Sequence, residues 1–324
     1  MIEKYYSQMK EWFKYVDKYT VDGLLKRWPD TKYRDWYLGD WLAPMGVDAG
    51  NQASVDLVSN CFISECLSTM YKTALTLGNK EEAEEFAIRK EKLNKLIHQT
   101  FYRADEGIYS TGSQLDMCYP MLVGVVPDSL YNKVKENVVM MTEEKHKGHI
   151  AVGLVGVPIL TEWAVRNKQV DFFYQMMKKR DYPGYLYMID RGATATWEYW
   201  SGERSRVHNC YNGIGTWFYQ AVGGIRLDEA KPGYRHFYVD PQIPNGVTWA
   251  KVTKESPYGT IVVNWKLKDD NQLNLQLTVP AGTMATVCIP NNAVSCKKNK
   301  KKVSVKEQTV DVEAGHYDFL FNLK

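Results

Sequence analysis

Residues Arg191 to Tyr211 read Arg-Gly-Ala-Thr-Ala-Thr-Trp-Glu-Tyr-Trp-Ser-Gly-Glu-Arg-Ser-Arg-Val-His-Asn-Cys-Tyr. The reading of this stretch decides whether the residues before it form a plain helical bundle or helices arranged around a site. It sets one carboxylate, Glu198, between Trp197, Tyr199 and Trp200, then supplies His208 after a short polar loop containing Gly202. In a helix, Trp197 and Trp200 would share a core face and Glu198 would point to water. Gly192, Thr194, Thr196 and Gly202 lie too close together for a regular helix. In a loop, indole rings offer flat apolar surfaces to sugars, and a carboxylate held among them acts as a base when a polar partner orients it. The stretch therefore reads as a candidate carbohydrate site.

Composition narrows the alternatives. A chain of 324 residues is long enough for one large or two ordinary domains. No apolar run approaches the roughly 20 residues of a membrane span. The 41 basic and 38 acidic residues are well mixed, so no global field favours nucleic acid. The run Lys297-Lys298-Asn299-Lys300-Lys301-Lys302 lies between two β-like runs and reads as a solvated hairpin tip. The six cysteines form no C-x-x-C pair and no metal-ligand spacing with the six histidines, so neither a metal nor another cofactor is expected. Cys288 and Cys296 would pair across a hairpin only in an oxidising compartment. The N-terminal residues form an amphipathic helix without the apolar core of a signal peptide, and secretion is not encoded in them. Eight of the ten tryptophans precede residue 220, an enrichment that suits ring-binding ligands and large cores alike.

Ile2, Tyr5, Tyr6, Met9, Trp12, Phe13 and Val16 have the spacing of a helix with one buried face. Asp22 to Gly50 is rich in Gly, Pro, Asp and Trp, and a loop of that length inside a compact domain is usually functional. One long helix follows, built on Val55, Val58, Phe62, Leu67, Met70, Tyr71, Ala74 and Leu75 and stopped at Gly78. Another starts at Asn79, with Glu81 and Glu82 in its first turn. Further helices are expected near 113–124, 128–143, 153–168, 170–179 and 207–222, with 181–190 and 191–206 as connections. Eight helices in four hairpins with long loops suggest a toroidal α/α barrel; a superhelical array of hairpins is left open by periodicity alone. The pattern changes near Leu227. Ile261, Val263, Trp265 and Leu267 line one face of a strand, and Leu273, Leu275, Leu277 and Val279 line one face of the next, with Asp269-Asp270-Asn271 as their turn. Strands are also expected near 235–240, 247–255, 283–289, 303–312 and 315–322. The expectation is a helical domain over 1–227 and an antiparallel β-sandwich over 228–324, the latter a structural partner without a chemical constellation of its own.

The series Gly39-Asp40-Trp41, Ser113-Gln114, Gly148 to Leu154, Ala193 to Trp200 and Ser205 to Asn209 resembles, in order, the C-terminal part of the α-L-rhamnosidases of glycoside hydrolase family 78. The resemblance covers nearly the whole chain. It implies an (α/α)6 barrel of twelve helices and an inverting mechanism with two carboxylates on opposite sides of a rhamnose-containing substrate. Glu198 matches the general base, Trp41 an indole of the rhamnose pocket and His208 a sugar-binding histidine. Asp40 would fix the Trp41 loop, and Trp197 or Trp200 would line the same pocket. The general-acid motif of the family, Arg-x-Glu-x-x-Gly-Trp-x-Gly-Asp, has no counterpart here. With eight helices against twelve, the chain reads as a fragment or a short form. Its first helix would then expose apolar residues near Tyr5, Trp12 and Phe13 to a missing segment or a second copy. Should the chain hydrolyse substrate alone, Asp35 and Asp40 are the first local acids to test. The competing functional readings are a non-catalytic carbohydrate-binding module, another α/α-barrel glycosidase, and a polysaccharide lyase.

Overall fold

Helices dominate the first two thirds of the chain. The computed structural model describes residues 1–28, 37–44, 52–268 and 271–324; Asp35, Asp269 and Asp270, named above, lie outside the described residues. In order come α1 (Ile2–Asp17), the hairpin β1 (Thr20–Val21) and β2 (Leu24–Leu25), α2 (Gln52–Thr76), α3 (Lys80–Phe101), the hairpin β3 (Tyr102–Arg103) and β4 (Ile108–Tyr109), α4 (Gln114–Val123), α5 (Asp128–His146), α6 (Gly156–Arg166), α7 (Val170–Met177) and α8 (Tyr185–Asp190). The chain divides into two compact units, residues 1–163 with 175–212, and 164–174 with 213–324. Among the described residues no helix is long and apolar enough to cross a membrane.

In the first unit α2 and α3 pack as a hairpin around buried Val58, Leu67, Met70, Ala74, Ala83 and Ile97. Polar side chains in this core are satisfied: Ser64 donates to Asn94 at 2.6 Å, and Asn60 brackets Leu25 through its backbone N–H and C=O at 2.9 and 3.0 Å. The apolar faces are narrower than periodicity suggests. Phe62, Tyr71 and Leu75 of α2 are exposed. On α1 only Tyr6, Phe13 and Val16 are buried. Phe13, expected at the open face, is covered by Phe86 and Arg89, while Tyr5 and Trp12 stay 47% and 44% exposed.

Two expected elements differ. Residues 207–222 are not one helix. They contain a 3-10 turn at Asn212–Ile214, three α-helical residues at Gly215–Trp217 and a π turn at Phe218–Val222. Gly213 and Gly215 weaken the α-helix there. The expected connection 181–190 contains α8, whose six residues are too few to show a period.

The second unit holds two sheets. The four-stranded sheet has the order β13 (Thr309–Val312), β10 (Met284–Cys288), β6 (His236–Val239), β5 (Ile225–Leu227). The six-stranded sheet has the order β12 (Lys301–Val303), β11 (Ala293–Lys298), β14 (Gly315–Leu323), β9 (Gln272–Val279), β8 (Gly259–Lys268), β7 (Trp249–Ser256). Its apolar face is the alternating set Ile261, Val263, Trp265, Leu273, Leu275, Leu277, Phe319 and Phe321. The sheets are not wholly antiparallel, because β6 and β10 run parallel, with Phe237 opposite Ala285 and Val239 opposite Val287. A parallel pair needs a long crossover, and here the chain builds β7 to β9 of the other sheet before returning. The lysine run caps the β11–β12 hairpin, with Asn299 and Lys300 both at positive φ in its two-residue turn. The expected strand 303–312 is broken by a 3-10 turn at Val305–Glu307, which passes the chain from one sheet to the other. Cys288 and Cys296 stand on strands of different sheets and both are free thiols.

Candidate active site

The Trp41 loop is tied to the segment leading into α6. Asp40 is only 3% exposed, and its two oxygens accept from the backbone N–H groups of Gly153 and Gly156, both at 2.8 Å. The second bond places the carboxylate at the N-terminus of α6, where exposed N–H groups favour negative charge. Burial nevertheless pushes the Asp40 carboxyl up to about 7, against the pull of those N–H groups. The Trp41 carbonyl accepts from Leu154 N–H at 2.8 Å. A Cβ at position 153 would lie 2.1 Å from that carbonyl oxygen, so only glycine permits this approach. Gln114 clamps the same segment from the other side. Its amide nitrogen donates to the His149 carbonyl at 2.9 Å, and its oxygen accepts from Ala151 N–H at 2.9 Å.

The stretch from Thr196 to His208 folds back on itself. Glu198 N–H donates to Ser205 O at 2.8 Å, His208 N–H donates to Thr196 O at 2.8 Å, and the Thr196 hydroxyl donates to His208 O at 2.6 Å. Glu198 is partly exposed, and its Oε2 accepts from Ser205 N–H at 3.3 Å. His208 Nδ1 accepts from Cys210 N–H at 3.2 Å, which in the neutral ring leaves the proton on Nε2 as a donor. The His208 ring meets partly exposed Trp41 edge to face, with centroids 6.2 Å apart. The two loops join at Tyr211, whose hydroxyl lies 3.1 Å from Leu42 O and 3.2 Å from Glu198 O. The Trp41 and His208 rings are thereby in contact, and the backbone of Glu198 is tied to the loop that carries Trp41.

Residues 1–222 match the family model of the bacterial alpha-L-rhamnosidase 6 hairpin glycosidase domain, and 224–304 that of the bacterial alpha-L-rhamnosidase C-terminal domain. The chain belongs to the bacterial α-L-rhamnosidase family. It is 26% identical to an alpha-L-rhamnosidase of Alteromonas sp. and 26% identical to one of Formosa agariphila, each match covering 98% of this chain but 35% and 36% of the relative. The chain thus spans about a third of the length of the curated relatives it matches. The alpha-L-rhamnosidase of Dictyoglumus thermophilum has the same fold, with a TM-score of 0.88 at 21% identity over 99% of this chain and 37% of that one. The Streptomyces avermitilis alpha-L-rhamnosidase, solved with L-rhamnose, gives 0.85 at 21% over 98% and 30%.

Within this rhamnosidase-family chain, the two tryptophans named as candidates to line the pocket take other places. Trp197 and Trp200 are each 1% exposed and present no face to a sugar. Trp197 is covered by Gly202, where a Cβ would lie 2.7 Å from the indole, and by the Arg206 guanidinium 5.1 Å above it. Trp200 donates from Nε1 to Val152 O at 2.9 Å and stacks on Tyr211 at 4.1 Å. Asp40 accepts from two backbone N–H groups and so holds the Trp41 loop, the role expected of it, rather than facing a sugar. Sequence reasoning passed over Tyr211 and Tyr185; both are aromatic residues close to the tryptophans, and only the fold shows that their hydroxyls face backbone carbonyls.

Proposed function

We propose that this chain supplies the water-activating side of an inverting site that removes terminal α-L-rhamnose from glycosides or polysaccharides. Glu198 is the general base, Trp41 the apolar surface on which the sugar lies, and His208 a donor from Nε2 to a sugar hydroxyl. The observation that carries this reading is the edge contact of Trp41 and His208 beside the Glu198 loop. The likeness to an enzyme solved with L-rhamnose supports the choice of sugar. In an inverting pair, water attacks the anomeric carbon opposite the leaving oxygen, the base takes its proton, and an acid roughly 6.5–9.5 Å away protonates the leaving oxygen. The family's acid motif is missing from these 324 residues. We take the acid to come from a helical partner segment that completes the six-hairpin domain, docking against exposed Tyr5 and Trp12 of α1. Residues 1–227 form the catalytic part in this scheme and 228–324 its structural partner.

The lack of an acid motif also favours a second reading, a sugar-binding module without turnover. Calorimetry with L-rhamnose and an aryl α-L-rhamnoside assay on the purified chain test the sugar site that both readings share, and turnover by an assembly that supplies the acid separates them. The proposal expects L-rhamnose binding that Trp41→Ala weakens strongly but measurably, with little or no hydrolysis by the chain alone. Absence of binding would overturn it. Robust hydrolysis would assign the acid to a local group, Asp35 first, since Asp40 is buried against backbone N–H groups.

A further inference from the structure

We propose that Tyr211 is a positioning residue of this site, fixing the separation of the Trp41 loop and the Glu198 loop through one hydroxyl. The inference rests on the reading of Trp41 as sugar platform and Glu198 as base. The Tyr211 hydroxyl lies 3.1 Å from Leu42 O and 3.2 Å from Glu198 O. One of these carbonyls belongs to the residue after the indole and the other to the base itself. A shift of either carries a functional side chain with it. A phenol has one proton, so it donates to one carbonyl while sitting at contact distance from the other, and it disfavours drift of both.

The hydroxyl is held in place by the frame behind it. Tyr211 is fully buried, and its ring stacks on Trp200 at 4.1 Å and 25°. Trp200 is locked by its bond to Val152 O, in the segment whose Gly153 and Gly156 N–H groups bind Asp40. The Tyr211 carbonyl accepts from the Tyr185 hydroxyl at 2.8 Å, and the Tyr185 ring meets Trp200 edge-on at 5.2 Å. The hydroxyl is therefore anchored from its ring face and from its own backbone. Burial holds the phenol above its ordinary range, so it stays a donor at every pH an assay would use. A tyrosine that only filled the core would be replaced by phenylalanine without consequence for the ligand. One that sets the gap would not, because a misplacement of about 1 Å can cost on the order of 100-fold in a positioned site.

The test is calorimetric titration of the full chain with L-rhamnose, using wild type, Tyr211→Phe, Trp41→Ala and the double variant, each checked for folding by circular dichroism. Tyr211→Phe keeps the ring and its stack and removes one oxygen. We expect it to weaken L-rhamnose binding by about tenfold. The double variant should bind no more weakly than Trp41→Ala, since Tyr211 acts through the indole; a merely structural loss would add to that of Trp41→Ala. Tyr211→4-aminophenylalanine, which restores a para donor, should return affinity to near wild type, and it carries the test if the phenylalanine variant does not fold. Wild-type affinity in Tyr211→Phe, additive losses in the double variant, or no recovery with the para-amino side chain overturns the positioning role. A wild-type chain that does not bind L-rhamnose overturns the functional reading, and this one with it.

Discussion

Asp40 carries two opposed demands. Its surroundings exclude water, which favours the neutral acid, while Gly153 and Gly156 aim N–H groups at both oxygens, which favours the carboxylate. Burial dominates, and the group titrates at about 7 in the folded chain against about 3.9 when unfolded. The folded state therefore holds a proton that the unfolded chain has already lost. The resulting contribution to stability is fully present below about pH 4 and is lost as pH rises through about 7. Asp40→Asn should remove this part of the pH dependence, leaving a shallower fall in urea midpoint between pH 4 and 7. It should also cost about 1–3 kcal/mol near neutrality, because an amide NH2 would face a backbone N–H. A wild-type slope in the variant would show that the titration belongs to another group. The residues at this scale were only partly legible in sequence. Glu198, Trp41 and His208 are chemically distinctive types, and of these the Trp41 and His208 rings do meet. That Trp200 and Asp40 face inward could not be read, because their burial depends on what the fold brings across from Val152 to Gly156, and the burial of Trp197 depends on how its own loop folds Gly202 and Arg206 back over it.

The elements that position the site are short and irregular. The long helices α2, α3 and α5 were legible because each spans several turns of apolar period. The 3-10 and π turns of 212–222, the six-residue α8 and the parallel pair β6–β10 were not. The first two carry too little repeat, and strand pairing across a crossover leaves no local trace. The segment before α6 depends on glycine at its closest approach. Gly153→Ala would put a Cβ 2.1 Å from Trp41 O and 2.7 Å from Ala43 N, and one of the two chains must move. We expect loss of at least tenfold in L-rhamnose affinity, on the same positional argument as above, with α2 and α3 keeping their protection in hydrogen exchange. Gly192→Ala is the control, since a Cβ there meets nothing within 4 Å. Its positive φ of 79° predicts a stability loss without a loss of affinity. Equal affinities for Gly153→Ala and wild type would mean that the loop is not held at this point.

At the scale of the whole molecule, the helical series, the change to strands and the family were legible in the ordered motifs. Between α1 and α2 an apolar groove of about 420 Å³ is lined by Tyr5, Met9, Trp12, Phe13, Cys66 and Met70. Exposed apolar surface of this kind favours association, and sedimentation analysis of the chain should show self-association that Trp12→Glu suppresses; a strictly monomeric wild type would contradict this. The central claim is that Glu198 activates water at an L-rhamnose site. Its most direct measurement is kcat toward an aryl α-L-rhamnoside together with the L-rhamnose Kd, for wild type and Glu198→Gln, in a hydrolytically competent assembly containing this chain. Loss of a general base costs about 10²- to 10⁴-fold in rate while the pocket persists, so the account predicts a fall in kcat of that order with Kd nearly unchanged. Turnover near the wild-type rate in Glu198→Gln would contradict it.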